Sequence, residues 1–426
     1  MRTQGDAVPG PGSRIAVIGA GLAGLVSAGL LSQRYRVTLF EAAADLCRRT
    51  VDVTLDGQTW AVDAGLSRFS MTASPNLTAL LDVLGAGTMG CPATLGVSFD
   101  AGRHEWADTG IDTLFAQRRN LLSPGFFGLL ADARHFRRHA EELRLDAIVT
   151  RFTMVQLLAR TRYGRAFRDG YLLPVAAMIW SDPAIDVLNM PATMFLRVFV
   201  THGLQRGFGR PVWRSVYGGG RSWLPKLAGQ VGELRMATPV IAIRREPLGV
   251  LVETPHCVER FDAVIMAAKA PVTRSLLADA DPDETAVLDV LRCRGGSVWL
   301  HADRRLLPRR RKAWAVSNYL CRSAAVSSVC LSDRLDLLQH LTLKTPLLLT
   351  VDPLIEPDSP FLRFERQFPV FDHDATLAQA RLAQLQGHRA SWYAGAWTGD
   401  GLPESAVTSA LAIAADFGVS PAWERR

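Results

Sequence analysis

Three glycines and one acid carry the most specific chemistry in this sequence. Gly19-Ala20-Gly21-Leu22-Ala23-Gly24 follows the apolar run Arg14-Ile15-Ala16-Val17-Ile18, and Glu41 closes the next such run, Arg36-Val37-Thr38-Leu39-Phe40. Each glycine answers a separate need: a tight turn after the strand, backbone approach to a diphosphate, and close packing of helix on strand. The phosphates then rest on a helix N-terminus, where free N–H groups and the helix dipole favour negative charge. An acid ending the following strand grips the ribose hydroxyls, and an acid at 41 disfavours a ribose 2′-phosphate. A purely structural glycine turn is the alternative, but it explains neither the flanking strands nor the acid.

Other chemistries are poorly supplied. The nine histidines show no pairing at metal-ligand spacing, so no metal site is expected. Cysteines at 47, 91, 257, 293, 321 and 330 form no C-x-x-C pair and read as buried or inert thiols of a reducing cytoplasm. No G-x-S-x-G elbow marks an activated serine, and no catalytic acid–base pair stands out. A net charge of +7 fits an Arg-rich solvated surface, and no nucleic-acid-reading module accompanies it. The basic run 304–312 is either a solvated face or a lipid or phosphate dock.

The elements that must position the glycines follow from pattern. Residues 14–18 and 36–40 are apolar, β-branched runs flanking an apolar helix, which makes a βαβ start. Residues 51–55, then Asp56-Gly57, read as a hairpin. From 75 to 205 helical patterns dominate, at 76–84, 126–143, 154–160 and 192–201. Strand-like text returns at 235–237, 240–243, 250–254 and 261–268, and again at 391–396, before a small-residue helix from Glu404 to Phe417. Residues 15–31 are apolar enough to suggest a membrane span, but glycines at 19, 21, 24 and 29 argue for strand, turn and buried helix.

With these motifs in hand, the chain resembles the flavin-containing amine oxidase and phytoene-desaturase superfamily. Within it the likeness is greatest to bacterial FAD-dependent oxidoreductases associated with cyclopropane-fatty-acid synthases. Besides Gly19–Gly24 and Glu41, the likeness rests on Val62-Asp63-Ala64-Gly65, Tyr171-Leu172-Leu173-Pro174, Gly218-Gly219-Gly220, Thr238-Pro239-Val240 and Gly395-Ala396-Trp397-Thr398-Gly399. It implies an α/β fold: a doubly wound Rossmann-type FAD-binding domain from residues 14–70, 205–275 and 389–426. An inserted α+β substrate domain would come from 71–204 and 276–388, with 1–13 a flexible tail. It further implies that Gly19, Ala20, Gly21, Leu22, Ala23 and Gly24 cradle the FAD pyrophosphate and that Glu41 holds the ribose. Val240 would present backbone to the adenine, while Gly395, Trp397, Thr398 and the helix start at Glu404 lie beside the flavin.

One departure stands out. The family's Gly-Gly pair after the acid-bearing strand is missing from Glu41-Ala42-Ala43-Ala44-Asp45-Leu46-Cys47-Arg48-Arg49. Arg48 or Arg49 either compensates by pairing with phosphate or is a solvated surface residue. Tyr171, Trp180, Asn318, Tyr319 and Trp392 are pocket-wall candidates, with plain core packing as the alternative for the aromatics. The implied activity is hydride removal by flavin from a hydrophobic small molecule, such as a fatty acyl, isoprenoid or natural-product skeleton. Amine oxidation, redox-neutral isomerisation, and a flavin-binding protein that has lost catalysis are the alternatives; a nicotinamide dehydrogenase fits the split pattern less well. A cytoplasmic protein without a transmembrane segment is expected, with peripheral membrane contact left open.

Overall fold

Ile15, Ala16 and Val17 have no accessible surface, because both faces of their strand are covered. This strand, β1 (Arg14–Ile18), leads through the glycine turn into α1 (Leu22–Leu31), and β2 (Arg36–Phe40) returns parallel to β1. After α2 (Pro75–Val83) and a long excursion come β3 (Glu233–Arg235) and β4 (Ala263–Met266). A second excursion precedes β5 (Ser391–Tyr393) and α3 (Pro403–Asp416). Together they complete a parallel sheet in the order β3-β2-β1-β4-β5. The order reverses between β1 and β4, and a ligand crevice opens beyond the strand ends at such a point.

The structure, a computed structural model, describes residues 8–66, 68–206, 212–322 and 329–425. Of the expected flexible tail, residues 1–7 lie outside the described residues. The remainder is docked: Val8 packs against the core beside α1, and the Gly12 N–H donates to the Arg34 carbonyl at 2.8 Å. The expected strand 261–268 divides. Phe261 ends an antiparallel strand, Val258–Phe261, and β4 begins at Ala263 after Asp262 steps across to accept from the Arg14 N–H at 2.7 Å. The hairpin at 50–63 turns on Asp56 and Gly57, both with left-handed φ (53° and 78°), as a two-residue turn that follows strand twist requires.

The excursions build a seven-stranded sheet of a different kind. Its order is 362–369, 293–301, 348–351, 329–334, 317–321, 95–99, 104–107, antiparallel throughout except where Ser317–Cys321 runs parallel to Leu95–Phe99. Helices Pro124–Thr150, Met154–Thr161, Leu173–Trp180 and Ala192–Thr201 share one hydrophobic core with it. The longest is started by Ser123, whose hydroxyl accepts from the Phe126 N–H, and by Pro124 in the first turn. Phe136 anchors it among Tyr163, Phe167, Phe195 and Phe199. No described helix is long and apolar enough to cross a membrane.

Buried polar side chains join the segments. Arg68 pairs with Asp333 at 2.9 Å, both nearly inaccessible, and donates to Ser317 Oγ and the Met178 carbonyl. Asp63 accepts from the Gly65 and Gly220 amides at 2.8 and 3.1 Å, and burial raises its pKa. The basic run at 304–312 is largely ion-paired: Arg305 with Asp303 and Asp358, Arg310 with the fully buried Glu105, and Lys312 with Asp112. Glu105 also accepts from the Arg309 and Arg310 amides at 2.6 and 3.1 Å, so the run fastens a loop.

Candidate functional site

The three glycines meet three different surroundings. Gly19 has φ +101°, open to glycine and strained for other residues. A Cβ on Gly24 would stand 1.9 Å from the Gly19 carbonyl oxygen, so helix and turn pack too closely for a side chain. A Cβ on Gly21 would meet nothing within 4 Å. Gly21 is the N-cap of α1, offers no side-chain cap, and the first turn holds no acid. The step at Gly21 is thus open, and an anion there would satisfy the first amides of α1.

Glu41 stands at the edge of this opening. Its carboxylate accepts from the Ala20 N–H at 2.7 Å and the Ala43 N–H at 2.9 Å, with Arg48 Nη1 3.7 Å away. The Ala237 and Thr238 amides donate to the Ala43 and Glu41 carbonyls, so the loop leading to Val240 is fastened beside the acid. Turn, acid and Val240 loop are thus contiguous. Arg48 and Arg49 diverge: Arg48 is exposed next to Glu41, whereas Arg49 turns inward and stacks over Phe364 at 5.0 Å.

On the other side of β1, the Ala267 carbonyl lies against Gly19 and the chain runs on to Lys269. Burial, with help from Arg366 and Arg49, pulls the Lys269 ammonium down to about 8, and it donates to the Gln367 carbonyl at 2.6 Å. Beyond β5, Thr398 Oγ1 donates back to the Gly395 carbonyl. The Trp397 indole is buried and donates to the Ala268 carbonyl at 3.0 Å, bracing the β4 exit from behind. The Glu404 side chain departs from expectation. It accepts from the Asn76 and Leu77 amides at 3.0 Å and from Asn76 Nδ2 at 2.7 Å, capping α2.

The pocket-wall candidates separate. Trp180 donates to the Asp400 carbonyl at 2.7 Å, which places it against the loop after β5. Tyr171 stacks on Phe167, and Tyr319 packs at a tilt against Phe99, inside the core of the seven-stranded sheet. Asn318 clamps backbone: its amide oxygen accepts from Ala315 N–H and its amide nitrogen donates to the Ala315 and Ser332 carbonyls. Trp392 lies fully buried against Phe417 in the core beside α1 and α3. Asn318 and Trp392 are thus structural, their polar atoms spent within the protein.

Charged residues that motif reasoning missed crowd the space between the two sheets. Arg294 pairs with Asp182 and, at 2.8 Å, with Asp352, while its guanidinium lies over Phe368. Arg366 lies over the same ring at 4.9 Å. The signal was present as Phe364-Glu365-Arg366-Gln367-Phe368, a charge on the same strand face as two aromatics, and as Lys269 immediately after an apolar parallel strand.

A glycine turn at the switch point of a 3-2-1-4-5 parallel sheet, with an acid ending the second strand, defines a dinucleotide-binding Rossmann fold. Residues 17–91 match the NAD(P)-binding Rossmann-like domain. Among solved structures, the chain is similar to a putrescine oxidase bound to putrescine at 14% identity, over 96% of this chain and 99% of that one, TM-score 0.68. It is likewise similar to cyclohexylamine oxidase from Brevibacterium oxydans (15% identity, 96% and 100% covered, TM-score 0.65). A conjugated-linoleic-acid (CLA)-producing fatty acid isomerase from P. acnes also matches, at 16% identity over 93% and 97%, TM-score 0.64. No curated protein sequence matches the chain. The chain has the Rossmann-type FAD-binding fold with an additional sheet-bearing part, as in amine oxidase structures.

Proposed function

We propose that this protein is an FAD-dependent oxidoreductase that takes a hydride from a hydrophobic small molecule. The observation that carries the reading is the open step at Gly21: capless helix amides, room for a ligand, and Glu41 at the rim. In this reading Gly19 to Gly24 hold the pyrophosphate and Glu41 the ribose, while the Val240 loop flanks the adenine. When bound, FAD would supply the hydride acceptor. The protein's own part is to orient the substrate, exclude water and favour charge that develops during transfer. The N-terminus of α3 would contribute to the last role through its dipole, partly offset by Asp400, which accepts from the Leu402 N–H at 3.2 Å.

In this reading the missing Gly-Gly pair leaves the cradle usable. Arg48 lies beside Glu41 and Arg49 over Phe364, and the Gly21 step stays open. The test is the absorbance spectrum of the purified protein, followed by heat release of its chromophore and anaerobic mixing with candidate substrates. A released FAD and bleaching on mixing are expected. Colourless protein that takes up nicotinamide dinucleotide but not FAD would end this reading, and product without bleaching would redirect it to isomerisation.

A further inference from the structure

The strand Leu362–Pro369 shows one face to the space between the two sheets. Leu362, Phe364, Arg366 and Phe368 are wholly or partly covered, whereas the alternating Arg363, Glu365 and Gln367 are exposed. Arg49 stacks on Phe364, and Lys269 bonds to the Gln367 carbonyl, so residues from the glycine-turn side close over this face.

The charges here do not balance. Arg68 takes Asp333; Arg294 takes Asp182 and Asp352; Asp63, the acid nearest Arg49, is held by backbone amides. The Arg366 side chain has no hydrogen bond and no carboxylate within ion-pairing distance among the described residues; it lies over an aromatic ring, repelled by Arg49 and Arg68 and attracted at longer range by Asp182 and Asp333. Burial pulls its pKa down to about 10, so it still carries its proton at neutral pH. Arg366 is only partly covered, and its guanidinium keeps five donors that water or a ligand must satisfy. Its planar fork matches a carboxylate in two parallel hydrogen bonds. Leu362 and Phe364, on the same strand face and only partly covered, would favour an apolar body over a polar one.

We propose that Arg366 anchors the carboxylate of an apolar organic acid, which is the substrate of the flavin chemistry. The assignment rests on the function proposed above but has its own test. Purified FAD-loaded protein is titrated calorimetrically, below micelle-forming concentrations, with dodecanoate, dodecan-1-ol and dodecylamine as probes. Dodecanoate should bind most tightly, and Arg366→Met should weaken it about ten- to a hundredfold, the value of a charge-assisted hydrogen bond. Arg366→Lys should fall between, and dodecan-1-ol should bind all three proteins alike. Flavin absorbance and melting temperature are recorded for each variant; a misfolded Arg366→Met leaves Arg366→Lys and Arg366→Gln to decide.

The proposal is overturned if wild type does not bind dodecanoate, if alcohol or amine binds as tightly as acid, or if no Arg366 substitution alters dodecanoate affinity. Loss of FAD from Arg366→Met would also overturn it, by making Arg366 a cofactor ligand. A colourless protein that still binds dodecanoate through Arg366 keeps the anchor and removes the flavin. A flavoprotein indifferent to Arg366 does the reverse.

Discussion

Two glycine-to-alanine substitutions three residues apart should fail in opposite ways. At Gly24, the added Cβ would stand 1.9 Å from a backbone oxygen and 3.1 Å from the Ala267 Cβ. Helix propensity favours alanine by about 1 kcal/mol, but overpacking against backbone costs about 1–3 kcal/mol and the turn has no flexible side chain to yield. The clash wins, so Gly24→Ala should lower the melting temperature without any ligand present. At Gly21, φ is −67° and a Cβ meets nothing, so alanine fits the empty fold and gains about 0.4–1 kcal/mol by restricting the unfolded chain. Its penalty should arise only with ligand. Excess FAD at about a hundred times Kd stabilises a binding protein by about 2.7 kcal/mol, and Gly21→Ala should forfeit most of that increment. Thermal unfolding with and without FAD, together with the flavin absorbance retained after gel filtration, separates the two effects. A Gly21→Ala protein that keeps full flavin, or a Gly24→Ala protein that melts like wild type, would refute the cradle geometry.

Three further perturbations test the frame around the site. Arg68→Met should cost about 3–5 kcal/mol in urea unfolding, because it leaves Asp333 buried without its partner; a loss near zero would show that the pair does not join the segments. Glu404→Gln should destabilise by about 0.5–2 kcal/mol through the α2 cap, and unchanged stability would argue that Asn76 and Leu77 find other acceptors. His202 and His301 are pulled by burial from 6.5 to about 4. The unfolded chain therefore takes up their protons first: their contribution is whole above about pH 6.5 and is lost, at about 3 kcal/mol each, as pH falls toward 4. Stability measured against pH should show that acid limb, and replacing both residues with Gln should flatten it; an unchanged limb would rule the histidines out.

The parts legible in the sequence are those that backbone geometry dictates. β1, β2 and the turn between them were readable because a doubly covered parallel strand is an apolar run and the turn demands glycine. The helix at Pro403 was readable because proline suits a first turn. What eluded pattern was pairing across the chain. Glu404 finds Asn76 at a separation of 328 residues, and Arg68 finds Asp333, neither marked by any local period. Aromatic identity was a poor guide to pockets: Trp392 sits on a strand of the parallel sheet but turns toward α3, and only the fold decides which face of so short a strand is inside.

Glu404 also settles a conflict of sign. A carboxylate in the first turn of α3, beside the loop after β5, would oppose any negative charge that the helix dipole stabilises there. The structure spends that carboxylate on the N-terminus of α2 through three hydrogen bonds. The α3 end keeps one carboxylate, since Asp400 accepts from the Leu402 N–H at 3.2 Å and the Ser405 hydroxyl at 2.7 Å, while α2 gains the charge its own dipole favours. The same logic governs the other side of the cleft, where Asp182, Asp333 and Asp352 are each committed to an arginine and Arg366 is left without one. Most acids near the cleft are thus withdrawn into structural pairs, and the positive ends that remain, α1 at Gly21 and the Arg366 guanidinium, await negative charge. That arrangement favours a diphosphate-bearing cofactor with an acidic substrate, and it disfavours a cationic amine, which would meet an unpaired guanidinium.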